Sequence, residues 1–145
     1  AQRLGLTCIR AAAADARERH AAWEGQADVV MADVPCSGLG IIRKKPDIRY
    51  KNPKELAQLP LVQRAILENA SGYVRPGGTL VYSTCTVLPE ENEDVTGDFL
   101  DKHPEFEPVR TAFPLPVGPC PGQVTLWPQR HGTDGFYICR MRRKD

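Results

Sequence analysis

The apolar positions of this chain fall into short blocks of two kinds. Ala27 to Ala32 (ADVVMA) and Thr79 to Ser83 (TLVYS) are apolar runs with β-branched residues and no polar alternation. Such runs read as strands buried on both faces. Between them, Leu59, Val62, Ile66, Asn69 and Tyr73 recur at helical spacing, joined by Ala65 and Ala70, which predicts helix over 54–74. Pro60 has no backbone N–H to give, so it should split or kink this stretch, most comfortably as the first residue of a second helix. A further helix is expected over 89–102: Val95 and Phe99 point inward, and its acidic first turn suits the positive end of a helix dipole. Phe136 to Met141 (FYICRM) is a clear strand, and 7–13, 106–110 and 124–127 are weaker ones. Residues 1–4 read as a helix end stopped by Gly5.

Breaks separate these blocks. Ser37 to Pro53 is expected to be loop, Arg75-Pro76-Gly77-Gly78 a turn, and Asp134-Gly135 another. Thr111 to Gly122 holds four prolines and two glycines and should be irregular. Strands alternating with helices imply an α/β sheet, mostly parallel. The last strands are joined by turns, so antiparallel strands are expected at one edge. Ligands of such sheets bind at the carboxyl ends of the strands. Asp15, the Asp33–Cys36 segment and Cys85 all fall there.

Composition narrows the class. The 145 residues are one domain's worth, and 41% are hydrophobic. Nineteen Lys and Arg stand against eighteen Asp and Glu, which argues against charge-driven disorder. No apolar run approaches membrane-spanning length, and no basic-then-apolar leader opens the chain. Five cysteines, an odd number without a C-x-x-C pair, point to reduced thiols in a cytoplasmic protein and away from a structural metal site. The near-zero net charge hides a basic segment. Arg43, Lys44, Lys45, Arg49, Lys51 and Lys54 are offset only by Asp47. A solvated surface would explain any such run, but a compact basic loop beside reactive residues also suits RNA phosphates.

Two cysteines stand just past buried strands: Cys36 in Asp33-Val34-Pro35-Cys36-Ser37-Gly38, and Cys85 in Ser83-Thr84-Cys85-Thr86. Cys8 and Cys139 lie within strand candidates and read as core, and Cys120 has no evident role. His131, before a turn, reads as structural. Glu90-Glu91-Asn92 either caps a helix or positions the Cys85 turn. Two thiols and a carboxylate on one rim suit a demanding reaction. Carbon 5 of a pyrimidine is a poor nucleophile until a thiolate adds to carbon 6. Carbon 5 can then attack an electrophilic methyl group, and a base must later release the product.

The segment DVPCSGLGIIRKKPDIRY resembles motif IV of the Sun/Nop2 family of RNA cytosine-5 methyltransferases, and GGTLVYSTCTVLPEENE resembles motif VI. The terminal LWPQRHGTDGFY is similar to the family's closing strand motif. The resemblance extends along nearly the whole chain and is strongest toward bacterial members acting on small-subunit (16S) ribosomal RNA. It implies a Rossmann-like class I methyltransferase fold with S-adenosylmethionine as cofactor, an RNA partner and no membrane or metal. It implies Cys85 as the nucleophile on carbon 6, with Cys36 assisting release as, or through, a general base. Asp33 would contact both the cofactor's methyl end and the target base, and Asp15 the adenine amine. Arg43, Lys44, Lys45 and Arg49 are candidate RNA contacts. DNA cytosine-5 methyltransferases use the Pro-Cys cysteine as nucleophile, so the Thr-Cys motif points to the RNA enzymes. Val34 stands where the family usually has Ala, which leaves the polar atoms in place.

The family's Gly-rich cofactor loop, and the acid for the ribose at the end of its second strand, have no match here. Residues 1–145 are therefore expected to be the carboxyl-terminal part of a catalytic domain, without strands 1 and 2 and inactive alone. Its bare strand edges would invite self-association. The alternative is a non-catalytic RNA-binding module with the same fold, which would have no need of both thiols.

Overall fold

The computed structural model describes residues 2–114 and 116–145. Its centre is a parallel strand pair. β1 (Ala27–Asp33) lies beside β2 (Val74–Thr84), with Val30 opposite Leu80 and Asp33 opposite Ser83. β7 (Phe136–Arg143) runs antiparallel to the other edge of β2. The far edge of β7 is shared between two short antiparallel strands. β6 (Gln123–Leu126) takes its first half and β3 (Phe106–Pro108) its last residues. The expected α/β sheet with antiparallel edge strands is present. Within the described residues one pairing of this sheet is parallel and three are antiparallel.

The helix between β1 and β2 forms as its sequence requires. Asn52 accepts a hydrogen bond from the Lys54 amide and caps a single turn, α1 (Pro53–Leu56). Pro60 then sits in the first turn of α2 (Leu59–Tyr73). The loop before them is less irregular than expected, with 3-10 turns at Leu39–Ile41 and Pro46–Tyr50. The expected turn at 75–78 is a bulge inside β2, where Gly77 takes φ 71° and the register to β1 shifts. The helix expected from Pro89 starts as a 3-10 turn, Pro89–Glu91, breaks at Asn92, and continues as α3 (Glu93–Lys102). The proline-rich stretch holds one two-residue pairing, β4 (Thr111–Ala112) with β5 (Pro119–Cys120). α4 (Pro128–His131) is a single turn, closed where the Trp127 amide donates to His131 Nδ1 at 2.8 Å.

α2 and α3 lie on the same face of the sheet. Leu67 and Ala70 of α2 and Val95 and Phe99 of α3 pack with Leu80 and Tyr82 of β2 and Tyr137, Cys139 and Met141 of β7. Alternation along the strands turns Val81 and Ile138 to the other face. There they line an open hollow with Met31 and Phe136. Val29 and Met31 are 63% and 72% exposed, so β1 is not buried on both faces as its sequence implies. Apolar composition alone cannot say whether a strand's second face is covered.

The strand expected over 7–13 does not form, and Cys8 is exposed rather than core. A strand needs a ladder partner for its backbone groups, and among the described residues nothing pairs with the outer edge of β1. The following segment is held instead by α2. Tyr73 Oη accepts from the His20 amide at 3.1 Å and donates to Glu18 O at 3.3 Å, and Asn69 Nδ2 donates to Ala16 O at 3.2 Å.

Candidate active site

The register of the parallel pair brings the two cysteine loops together. With Asp33 opposite Ser83, the Val34 amide adds one more bond, to Ser83 O at 3.1 Å, before the chains leave the sheet. Ser83 Oγ donates to Asp33 Oδ1 at 3.0 Å. Just beyond, Cys36 Sγ and Cys85 Sγ approach to 3.1 Å, and the Cys85 amide donates to Cys36 Sγ at 3.2 Å. Both thiols are half-buried. Burial, reinforced by the bond to Cys85, pushes the Cys36 thiol up to about 12. Cys36 therefore carries its proton at neutral pH and can donate it toward Cys85.

A buried carboxylate supports the Cys36 loop, and its neighbours hold the Cys85 loop. Glu91 is 2% exposed, and its Oε2 accepts from the Ser37 amide at 2.9 Å and from Gln63 Nε2 at 2.8 Å. Gln63 Nε2 also reaches Pro35 O at 3.0 Å, so α2 grips the residue before Cys36 as well as the carboxylate. On the Cys85 side, Tyr82 Oη donates to Glu91 O at 2.6 Å. Asn92 Nδ2 donates to Thr86 O at 3.2 Å, and Ser37 Oγ bonds Thr86 Oγ1 at 2.8 Å. A connected network of this kind fixes loop geometry in a way isolated bonds do not.

A third segment closes over the Cys85 loop. The Gly40 amide donates to Cys85 O at 3.0 Å, and the Gly135 amide to Gly40 O at 2.8 Å. The two backbones touch: a Cβ on Gly40 would lie 2.0 Å from Gly135 O. Next to this contact Asp134, its side chain 6% exposed, pairs with Lys44 and, at 3.3 Å, with Arg43. The Lys44 hydrogen bond is the main force holding the Asp134 carboxyl below the usual range, with Arg43 adding to it.

Of the sequence candidates, Cys36, Cys85 and Asp33 are brought together. Asp15 is on the same rim: it and Asp33 line one cavity of about 360 Å³ with His20, Trp23, Ile66 and Tyr73. Arg17 grips Asp15, donating from its amide at 2.9 Å and from Nη2 at 2.6 Å, and lowers its pKa to about 2. His20 Nε2 is buried without a hydrogen-bond partner. Arg43 and Lys44 are anchored by Asp134 while staying largely exposed. Arg49 lies over the Tyr50 ring at 5.9 Å. Lys45 is exposed on the same loop.

Sequence reasoning gave no part to Gln63, read Asp134 only as a turn residue and counted Lys51 only within the basic run. It left the Glu90-Glu91-Asn92 run between capping a helix and positioning the Cys85 turn; in the structure Glu91 holds the Ser37 amide of the Cys36 loop, and Asn92 bonds Thr86 O beside Cys85. An acid inside PEEN, right after the Thr-Cys motif, was the available signal. Nothing local marks Gln63 or Asp134.

A family model described as 16S rRNA methyltransferase RsmB/F matches residues 1–142. The chain belongs to this family. A relative from Bacillus subtilis (strain 168), named probable ribosomal RNA small subunit methyltransferase B, is 45% identical over 99% of this chain and 34% of its own length. The chain thus spans about a third of that relative's length. Among solved structures, PH0851 superposes with a TM-score of 0.87 at 34% identity, over 98% of this chain and 32% of its own. NSun6 from Pyrococcus horikoshii, solved with SFG, gives a TM-score of 0.76 at 27% identity, over 99% of this chain and 37% of its own. The family places the two cysteine motifs and the Rossmann-like sheet in a methyltransferase context. Among the described residues no three His, Cys, Asp or Glu side chains gather as a metal site, and no helix is long and apolar enough to cross a membrane.

Proposed function

We propose that these residues form the carboxyl-terminal part of a catalytic domain that methylates carbon 5 of cytosine in RNA, with small-subunit ribosomal RNA in the cytoplasm as substrate. The observation that carries this reading is the thiol pair, 3.1 Å between sulfurs at the carboxyl ends of adjacent parallel strands.

S-adenosylmethionine, when bound, supplies an electrophilic methyl group. The cavity under Asp15 and Asp33 fits its nucleoside end: an ionised carboxylate, an unpartnered buried ring nitrogen on His20 and apolar walls suit an amine-bearing base. Asp33, oriented by Ser83, lines this cavity. Cys85 Sγ gives up its proton to water and bonds carbon 6; the electron pair of the 5,6 double bond moves to carbon 5, which would take the methyl group as the methyl's old bond breaks and leaves its electrons on the cofactor sulfur. In release, the carbon 5 proton passes to water, the double bond re-forms and the carbon 6–sulfur bond breaks. The electrons return to Cys85 Sγ. Cys36, held as a thiol, donates its S–H to that departing sulfur, which supports assistance through Cys36 rather than proton abstraction by it.

RNA carrying 5-fluorocytidine tests the reading with the full-length protein and methyl-labelled cofactor. Fluorine cannot leave as a proton, so a denaturant-stable, methylated RNA–protein adduct on Cys85 is expected. Methylation without an adduct, or an adduct on Cys36, overturns the assignment. Residues 1–145 alone should show no cofactor binding by calorimetry, and micromolar affinity would contradict the division of the site.

A further inference from the structure

Among the described residues, Tyr50 is the most exposed of the large apolar side chains, at 81%. A single exposed ring is ordinary on a protein surface; its mounting and its neighbours single this one out. Its surroundings limit what can cover it. The 3-10 turn Pro46–Tyr50 is not loose: Ile48 is 5% exposed and packs its Cδ1 3.0 Å from where a Gly38 Cβ would stand. One residue past Tyr50, Lys51 Nζ donates to Ser37 O at 2.9 Å. Both anchors hold the loop that carries Cys36. The Tyr50 backbone is thereby pinned between two residues that touch the thiol-bearing loop, while its ring projects outward.

The segment that bears the ring is basic: Arg43, Lys44, Lys45, Arg49 and Lys51 are offset only by Asp47. Arg49 lies 5.9 Å from the centre of the ring. Arg43 and Lys44 are 71% and 68% exposed, and their single shared carboxylate, Asp134, leaves a net positive charge facing solvent. An apolar protein segment would have to bring acids to this surface, whereas a polynucleotide carries its phosphates with it. A rigidly mounted, solvent-facing aromatic among cations is the arrangement on which unstacked bases settle.

We infer that Tyr50 is a base-stacking platform for a single-stranded nucleotide of the RNA, with Arg43 and Lys44 holding the adjoining phosphates. The inference rests on the RNA reading above and adds a recognition element to it. A cytosine inside a duplex cannot present carbon 6 to Cys85, so it must leave the stack. The ring of Tyr50 replaces part of the stacking lost on that strand. A single-stranded or looped substrate is therefore favoured over a continuous duplex.

The test uses the full-length protein and fluorescently labelled single-stranded RNA, with affinity measured across a salt series. Tyr50→Ala should weaken binding about 5- to 150-fold, the equivalent of one base stack, and leave the salt slope unchanged. Tyr50→Phe should bind as the parent does. Lys44→Ala should instead lower the salt slope by about one. RNA with 2-aminopurine beside the target cytosine should be quenched by the parent and by Tyr50→Phe but not by Tyr50→Ala. If Tyr50→Ala binds RNA like the parent while the 5-fluorocytidine adduct still forms, the stacking role is wrong and the RNA reading stands. If Tyr50→Ala lowers the melting temperature without weakening RNA binding, the ring is covered by protein and the inference fails. If the parent binds no RNA, both readings fail together.

Discussion

Cys36 Sγ and Cys85 Sγ, 49 positions apart in the chain, lie 3.1 Å from each other. Neither loop could reach this geometry alone. It follows from the alignment of Asp33 with Ser83 in the parallel pair, which ends both strands level with each other.

The two thiols should fail in different ways when removed. Cys85→Ala should abolish methyl transfer and leave no RNA adduct on denaturing gels. Cys36→Ala should transfer the methyl group once and accumulate a Cys85-linked RNA adduct, because the departing sulfur loses its proton donor. The reverse pattern would exchange the two roles.

Their closeness also makes them oxidisable as a pair. Diamide should take one hydrogen from each thiol, becoming the hydrazine as a Cys36–Cys85 disulfide forms. Titratable thiols in the denatured protein should fall by two, activity should stop, and dithiothreitol should restore both. Cys36→Ser should remove the effect.

Glu91 holds the site from within. Glu91→Ala leaves the Ser37 amide and one Gln63 donor position without their acceptor, at about 1–3 kcal/mol for each buried group. The urea midpoint should fall accordingly. Glu91→Gln keeps an acceptor oxygen and should recover much of the loss. Equal midpoints for Glu91→Ala and the parent would show that the network contributes nothing to stability.

Gly40 is required for a different reason. With Gly135 O 2.0 Å from its virtual Cβ, Gly40→Ala must push the 134–135 turn away from the Cys85 loop. Overpacking of this order costs about 1–3 kcal/mol. The Asp134 anchor moves with the turn, so RNA affinity should drop as well as melting temperature. Gly97→Ala, at an open helical position, is the control and should leave both intact.

His103 gives the fold a pH dependence. Burial disfavours its charged form, but its hydrogen bonds with Glu105 at 3.0 Å and Glu68 at 2.9 Å outweigh this and raise its pKa above 6.5. A raised pKa in the folded state means the contribution is complete below 6.5 and is lost as pH rises through the folded value. Melting temperature should therefore decline slightly from mildly acidic to mildly alkaline pH. Glu68→Gln together with Glu105→Gln should flatten that decline.

Several of these features are written locally. Pro60 fits best in a helix's first turn, and it is the second residue of α2. The apolar runs before Asp33 and Ser83 end in the two cysteine motifs, so both thiols could be placed at strand ends before any contact was known. Each reading uses only neighbours in sequence, where spacing and backbone chemistry suffice. The strand expected over 7–13 shows the limit. Its residues favour extension, but extension becomes a strand only against a partner, and partners are a property of the whole sheet.

The chain alone therefore settled the α/β class, the placement of two cysteines at strand ends and the basic character of the loop between them. These are matters of composition, periodicity and motif. Tertiary structure decided the rest. Burial sets the Glu91 carboxylate under the Cys36 loop and raises the pKa of the Cys36 thiol. Long-range packing turns Asp134 from a turn residue into the anchor of Arg43 and Lys44, and leaves Tyr50 facing solvent. The same residue types would carry neither role elsewhere, because desolvation and pairing depend on what surrounds a side chain and not on what precedes it in the chain.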